Sequence, residues 1–173
     1  MIPVEAAPRP VEAMRTRTLS WQDPLSIAAA GAELPGIDFM RKLVSGELPP
    51  PPIAVLLRMR PVEVEPGRAV FEGWPGEEHY NPIGLVHGGY AATLLDSALG
   101  SAVHTTLEAG VAYTTQSLEV KLVRPITKDT GPVRAEAEVL YRGRRQATAQ
   151  AQLLDAATGR LLAHGSATCL IID

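Results

Sequence analysis

From Val133 onward the chain alternates apolar and polar residues in long runs. Over 132–142, Val133, Ala135, Ala137, Val139 and Tyr141 fall on one side, with Arg134, Glu136 and Glu138 on the other. Over 145–154, Ala147, Ala149, Ala151 and Leu153 alternate with Gln146, Thr148, Gln150 and Gln152. A period of two is the signature of strands buried on one face. Arg142-Gly143-Arg144 turns the first strand into the second, and Asp155 to Arg160 leads into a last strand over 161–172. Residues 111–124 form a further strand with Leu118, Val120 and Leu122 on one face. Upstream, Ile53 to Arg60 is expected to be the first strand, continued by Val62 and Val64. Pro66-Gly67 makes a turn, and Arg68 to Trp74 returns as the second strand.

One stretch breaks this period. Ala91, Leu94, Leu95, Ala98, Leu99 and Ala102 recur at helical spacing, so a buried or half-buried helix runs from Tyr90. A shorter helix is expected over 36–46, with Ile37, Met40, Leu43 and Val44 on one side and Gly46 as its stop. Pro49 to Pro52 form a stiff connector. Residues 1–35 are rich in Pro and Ala without a sustained period and read as a mobile N-terminal arm, suited also to wrapping a partner subunit; 36–173 read as one domain. One long helix followed by antiparallel strands implies an α+β fold, an antiparallel sheet curled around one long central helix.

The turn before that helix carries the candidate chemistry. Pro82 and Gly84 break any preceding strand, and Gly88-Gly89 let backbone amides approach a ligand without an intervening side chain. The first helical turn then offers free N–H groups and the positive end of the helix dipole to an anion or a developing oxyanion. Asp96 is the one carboxylate between Tyr90 and Val103. A carboxylate on an apolar helix is costly to bury, so it either serves the solvated side or has a chemical task.

Spacing narrows the options. His87 and Asp96 are nine positions apart, which a helix rise of roughly 1.5 Å per residue converts to about 13 Å. The two cannot serve one small reacting group within a single chain. If both act on one substrate, a second copy supplies one of them, and the site lies across a two-fold interface.

The run Asn81-x-x-Gly84-x-x-His87-Gly88-Gly89, with Asp96 nine residues after the histidine, resembles the signature of hotdog-fold acyl-CoA thioesterases. Within that superfamily it is closest to the phenylacetic-acid-degradation type. The likeness extends through Tyr113 to Pro125 and on to the C-terminus, over roughly residues 50–172. It implies the hotdog fold and hydrolysis of an acyl-CoA thioester without a cofactor. Asp96 would be the general base or nucleophile, and the Gly88 amide would hold the oxyanion. Asn81 and His87 would shape the turn near the thioester, and Thr115 would help place the water. Asp96 and Thr115 would come from one subunit and Gly88 from its partner. The assembly would be a homodimer at minimum, or a homotetramer built as a dimer of dimers. Ser117 departs from the acidic residue common there in the family.

Each residue also has a plainer role open to it. A histidine at a helix start is more often a cap than a catalyst, Asn81 before Pro82 is an ordinary turn former, and Thr115 suits any strand. Arg142, Arg144 and Arg145, with Arg124 and Lys128, are candidates for the phosphates of coenzyme A, set against a solvated hairpin turn.

Composition fits a globular enzyme. The 173 residues are 46% hydrophobic and 20% charged, and a net charge of -3 gives no general attraction to nucleic acid or to acidic membranes. The single cysteine, Cys169, forbids an intrachain disulfide and fits a reducing compartment. Pro3, Glu5, Pro8, Pro10 and Glu12 interrupt any signal-peptide run, and no stretch is apolar enough to span a bilayer, so the cytoplasm is the expected location. His79, His87, His104 and His164 are too scattered for a metal site, and neither a P-loop nor a Gly-x-Ser-x-Gly elbow is present. Two functions remain: a thioesterase using Asp96, and a non-catalytic acyl-CoA binding or sensing module on the same fold.

Overall fold

The helix predicted from Tyr90 is the axis of the molecule. A computed structural model describes residues 14–172, and in it helix α4 spans Gly88–His104. Leu94, Leu95, Ala98, Leu99, Ala102 and Val103 are fully buried along one stripe. An antiparallel six-stranded sheet curls around α4, with β1 (Met59–Glu65), β2 (Arg68–Gly73), β3 (Ala112–Leu122), β4 (Val133–Arg142), β5 (Gln146–Asp155) and β6 (Leu161–Ile172) in the order β1-β2-β4-β5-β6-β3. This is the α+β arrangement that the sequence pattern implied and the hotdog fold that the family resemblance implied.

Composition explains how closely helix and sheet approach. The sheet turns Ala135, Ala137, Ala147, Ala149, Ala151, Ala163 and Ala167 inward, all buried. These short side chains let the leucines of α4 bury completely, at roughly 1.5–3 kcal/mol for each one removed from water. Gly73 and Gly100 serve the same end, since a Cβ on either would fall 2.5 Å from the Tyr90 hydroxyl or 2.7 Å from that of Tyr113.

Helix α2 (Gly36–Ser45) ends at Gly46, which adopts φ 80°, as the glycine stop predicted. Three expectations need correction. The run from Ile53 is not the start of a strand: Pro52–Leu57 forms helix α3, opened by Pro51-Pro52 and ended by Arg58 at φ 52°, and β1 begins only at Met59. A short unbroken apolar run has no period to distinguish helix from strand, and proline at the first helical position decides it here. Within the expected mobile arm, Pro24–Ala32 is helix α1, capped by the Asp23 carboxylate, which accepts from Leu25 N–H at 3.0 Å. The chain on either side is tied down as well; residues 1–13 lie outside the described residues. Finally, Tyr141 does not continue the inner face of β4, because a bulge between Val139 and Tyr141 turns it outward, 63% exposed.

Candidate active site

The turn Asn81–Val86 is built by its own polar groups. The Asn81 side-chain oxygen accepts from Ile83 N–H and Leu85 N–H, both at 3.1 Å, and Gly84 takes φ 81° to close the loop. Val86 N–H donates to the Ile126 carbonyl and His87 N–H to the His79 carbonyl, which fixes the entry into α4. His87 is the N-cap: its Nδ1 accepts from Gly89 N–H at 2.8 Å, and its carbonyl accepts from Tyr90 N–H. These bonds occupy the second and third amides of the helix. Gly88 N–H, the first, takes part in neither. It lies in a cavity of about 290 Å³ with Asn81, His87, Leu122 and Arg124.

Asp96 occupies a different cavity. It is half-buried, two turns along α4, and its Oδ1 accepts a hydrogen bond of 3.0 Å from the Thr115 hydroxyl on β3. A bulge between Thr115 and Ser117 directly follows that contact. Thr114, the adjoining alternative, is exposed, so the geometry selects Thr115. This cavity, of about 390 Å³, has one polar side formed by Asp96, Thr115, Ser97, Ser101, His104 and Tyr113, and an apolar side from α1, α2 and α3. Its volume is within the range of small-molecule sites. Burial pushes the His104 imidazole below its usual range and the Tyr113 phenol above it.

The predicted residues therefore separate into two groups within one chain. Asn81, His87, Gly88 and Arg124 line one cavity, with Gly89 bonded to the His87 cap beside it; Asp96 and Thr115 line the other. Gly88 and Asp96 are eight residues apart on α4, about 12 Å by helix rise. Arg124 donates to the Leu161 carbonyl at 2.6 Å. Arg142, Arg144 and Arg145 sit at the hairpin between β4 and β5; Arg142 pairs in register with Ala147, Ala147 with Cys169, and Cys169 with Thr115. That puts the hairpin on the Asp96 side, three strand spacings or about 14 Å from Thr115. Arg142 turns back to the Gly143 carbonyl.

Sequence reasoning missed Ser97, Ser101, His104 and Tyr113 as lining of the Asp96 cavity. A signal existed, since Ser97, Ser101 and His104 follow Asp96 at one, five and eight positions and share its side of the helix. Among the described residues, no group of three or more His, Cys, Asp or Glu could hold a metal ion, and no helix is long and apolar enough to cross a membrane.

Comparison with known proteins places the chain in a family. The Thioesterase superfamily profile matches residues 83–161, a span holding the turn from Ile83, all of α4 and the strands to β5. Human acyl-coenzyme A thioesterase 13 is 33% identical over 114 residues, covering 66% of this chain and 80% of that protein. The chain belongs to the thioesterase superfamily. A putative thioesterase of Ralstonia eutropha JMP134, described as related to phenylacetic acid degradation, superposes with a TM-score of 0.68 at 28% identity, over 76% of this chain and 98% of that one. The PaaI protein of E. coli, at 20% identity and a TM-score of 0.64 over 70% of this chain and 84% of that one, shares the hotdog fold of this thioesterase.

Proposed function

We propose that this thioesterase hydrolyses an acyl-coenzyme A to the free acid and coenzyme A at a site shared by two copies of the chain. The observation that carries the reading is the separation of the two cavities: a carboxylate held by Thr115 in one, an uncommitted helix N-terminal amide in the other. In a dimer that sets one copy's Gly88 against its partner's Asp96, the two halves make one site. Asp96 takes a proton from water as the water oxygen attacks the thioester carbonyl carbon. The oxyanion forms against Gly88 N–H, in line with the dipole of α4. Collapse breaks the C–S bond, and the proton passes from Asp96 to the departing sulfur.

The sheet edge supports the dimer. β3 is an edge strand whose Leu118 and Leu122 share the inner face with Ala167 and Ala163, yet stay 38% and 59% exposed because the sheet ends there. An open strand edge with apolar side chains is a pairing surface. Arg144 and Arg145 make no ion pair among the described residues, which leaves them available to the phosphates of coenzyme A.

The test is thiol release from phenylacetyl-, benzoyl-, short- and medium-chain acyl-CoAs by the wild-type protein beside Asp96→Asn. Turnover reduced by about 10²-fold or more, with acyl-CoA binding retained, is expected for loss of a general base. Equal turnover by both proteins removes Asp96 from the mechanism, and binding without turnover by either makes the protein an acyl-CoA binding module.

A further inference from the structure

The apolar side of the Asp96 cavity includes a part of the chain that lies well outside the 83–161 family match: Pro24, Ile27 and Ala28 of helix α1. We infer that α1 is the end wall of the acyl pocket and that Ile27 and Ala28 set the length of acyl group it accepts. The inference rests on the hydrolase reading above.

Helix α1 turns Pro24, Ile27 and Ala28 to this cavity, with Ile27 buried and the other two exposed. Ile27 is 6% exposed, while Leu25 on the same helix is 74% exposed and Trp21 just before it 60%. The main packing partner of α1 is α2, where Gly31 lies so close to the Phe39 ring that a Cβ would come within 2.9 Å of it. Between Ile27 and Gly31 the helix carries only alanines. Ala28, the one of these that lines the cavity, leaves space at the wall that a leucine or phenylalanine would fill.

Both ends of the segment are anchored. The Arg17 guanidinium donates to the Val55 carbonyl at 2.8 Å and the Leu56 carbonyl at 3.2 Å, near the end of α3, and pairs with Glu78 at 3.3 Å. Arg15 pairs with Glu77 at 2.7 Å. At the other end Gly36 N–H donates to the Leu107 carbonyl at 2.9 Å. The chain between these anchors is a strap that holds α1 in place over the cavity. A thioester carbonyl positioned at Asp96 and Thr115 then directs its acyl chain away from the polar lining of α4 and β3, toward α2 and the Ile27 and Ala28 side chains of α1.

Two full-length variants with opposite effects test this. Ile27→Ala removes wall volume, and Ala28→Phe adds it. Thiol-release kinetics over straight-chain acyl-CoAs from butyryl to hexadecanoyl give the length profile. The ratio of kcat/KM for the longer to the shorter acyl groups is expected to rise about tenfold in Ile27→Ala and to fall about tenfold in Ala28→Phe, the scale set by small volume changes in an apolar pocket. A binding readout independent of turnover is displacement of cis-parinaric acid fluorescence by fatty acids of the same lengths. A profile unmoved in both variants overturns the inference, as does failure of the wild-type protein to bind cis-parinaric acid. Displacement that shifts with the variants while no thioester is hydrolysed upholds the wall and overturns the hydrolase reading alone.

Discussion

The Thr115 hydroxyl reaches across from the edge strand β3 to donate a 3.0 Å hydrogen bond to Asp96 on the central helix. The bond fixes one oxygen of the carboxylate, and in the proposed mechanism the other meets the water. Thr115→Val deletes the donor while keeping the branched shape that suits a strand. We expect kcat to fall by about tenfold, the upper end for one hydrogen bond, and Thr115→Ser to recover most of it. Steady-state kinetics of both variants check this; a Thr115→Val enzyme with wild-type kcat shows that the bond holds the fold rather than the reaction.

Gly36 is the tightest steric point of the framework around the Asp96 cavity. A Cβ there would lie 1.8 Å from the His104 carbonyl oxygen, which is backbone and cannot rotate away. Gly36→Ala therefore forces α2 off the end of α4. Urea unfolding should show a loss of about 3 kcal/mol, in the range for overpacking a closed site. Gly46→Ala, with open space around it but φ 80°, should cost less, roughly 1 kcal/mol for strain in the left-handed region.

His87 acts on α4 through its ring nitrogen. With Nδ1 accepting from Gly89 N–H at 2.8 Å, it fills the place usually taken by Ser, Thr, Asp or Asn. His87→Ala should cost about 1 kcal/mol, lowering Tm by roughly 2–4 °C for a domain of this size. His87→Asn should restore the cap. Thermal melts of the three proteins separate this role from any direct effect on turnover.

Much of this was legible in the chain because its period was. The strands β4 and β5 and the buried stripe of α4 follow from alternation and from 3.6-residue spacing. The nine positions from His87 to Asp96 already set the two residues well apart, and they line different cavities. What was not legible depended on local geometry without a period. The apolar run after Pro52 reads equally as helix or strand, and the bulge that turns Tyr141 outward leaves no mark in the alternation. Helix α1 is alanine-rich, so its only sequence cue was Asp23-Pro24, an N-cap followed by proline at the first helical position. Tyr113 reaches the Asp96 cavity because β3 pairs with β6 and packs against α4, a placement that no local pattern announces.

Burial of two histidines makes stability depend on pH. His104, between the rings of Phe39 and Tyr113, and His79, against Tyr90, both have pKa values lowered by burial below the ordinary 6.5. The unfolded chain then binds protons more readily than the folded one. Stability is complete above about pH 6.5 and declines as pH falls from there toward the folded-state values. Glu63, held low mainly by its hydrogen bond from Arg134, contributes its own loss only below its ordinary 4.5. Urea midpoints measured between pH 7.5 and 5 should fall, and His104→Gln should make the fall shallower. A wild-type midpoint that is flat across this window contradicts the assignment.

The proposal that two copies share one site makes a prediction that no single variant can test. Gly88 is the first residue of α4, and His87 before it has φ -60° and ψ 139°, a backbone that the residue ahead of a proline readily adopts. Gly88→Pro thus removes the N–H while leaving the helix a residue it tolerates there. The added ring displaces the tip of Leu122, whose Cδ1 lies 2.6 Å from where a Cβ would stand. Gly88→Pro and Asp96→Asn should each be inactive alone. Unfolded together and refolded as a mixture, they form mixed dimers in which one of the two sites pairs an intact Asp96 with an intact Gly88. If chains associate at random, half of the dimers are mixed and activity returns to about a quarter of wild type. Were both groups to act within one chain, every chain in the mixture would carry a lesion and no activity would return.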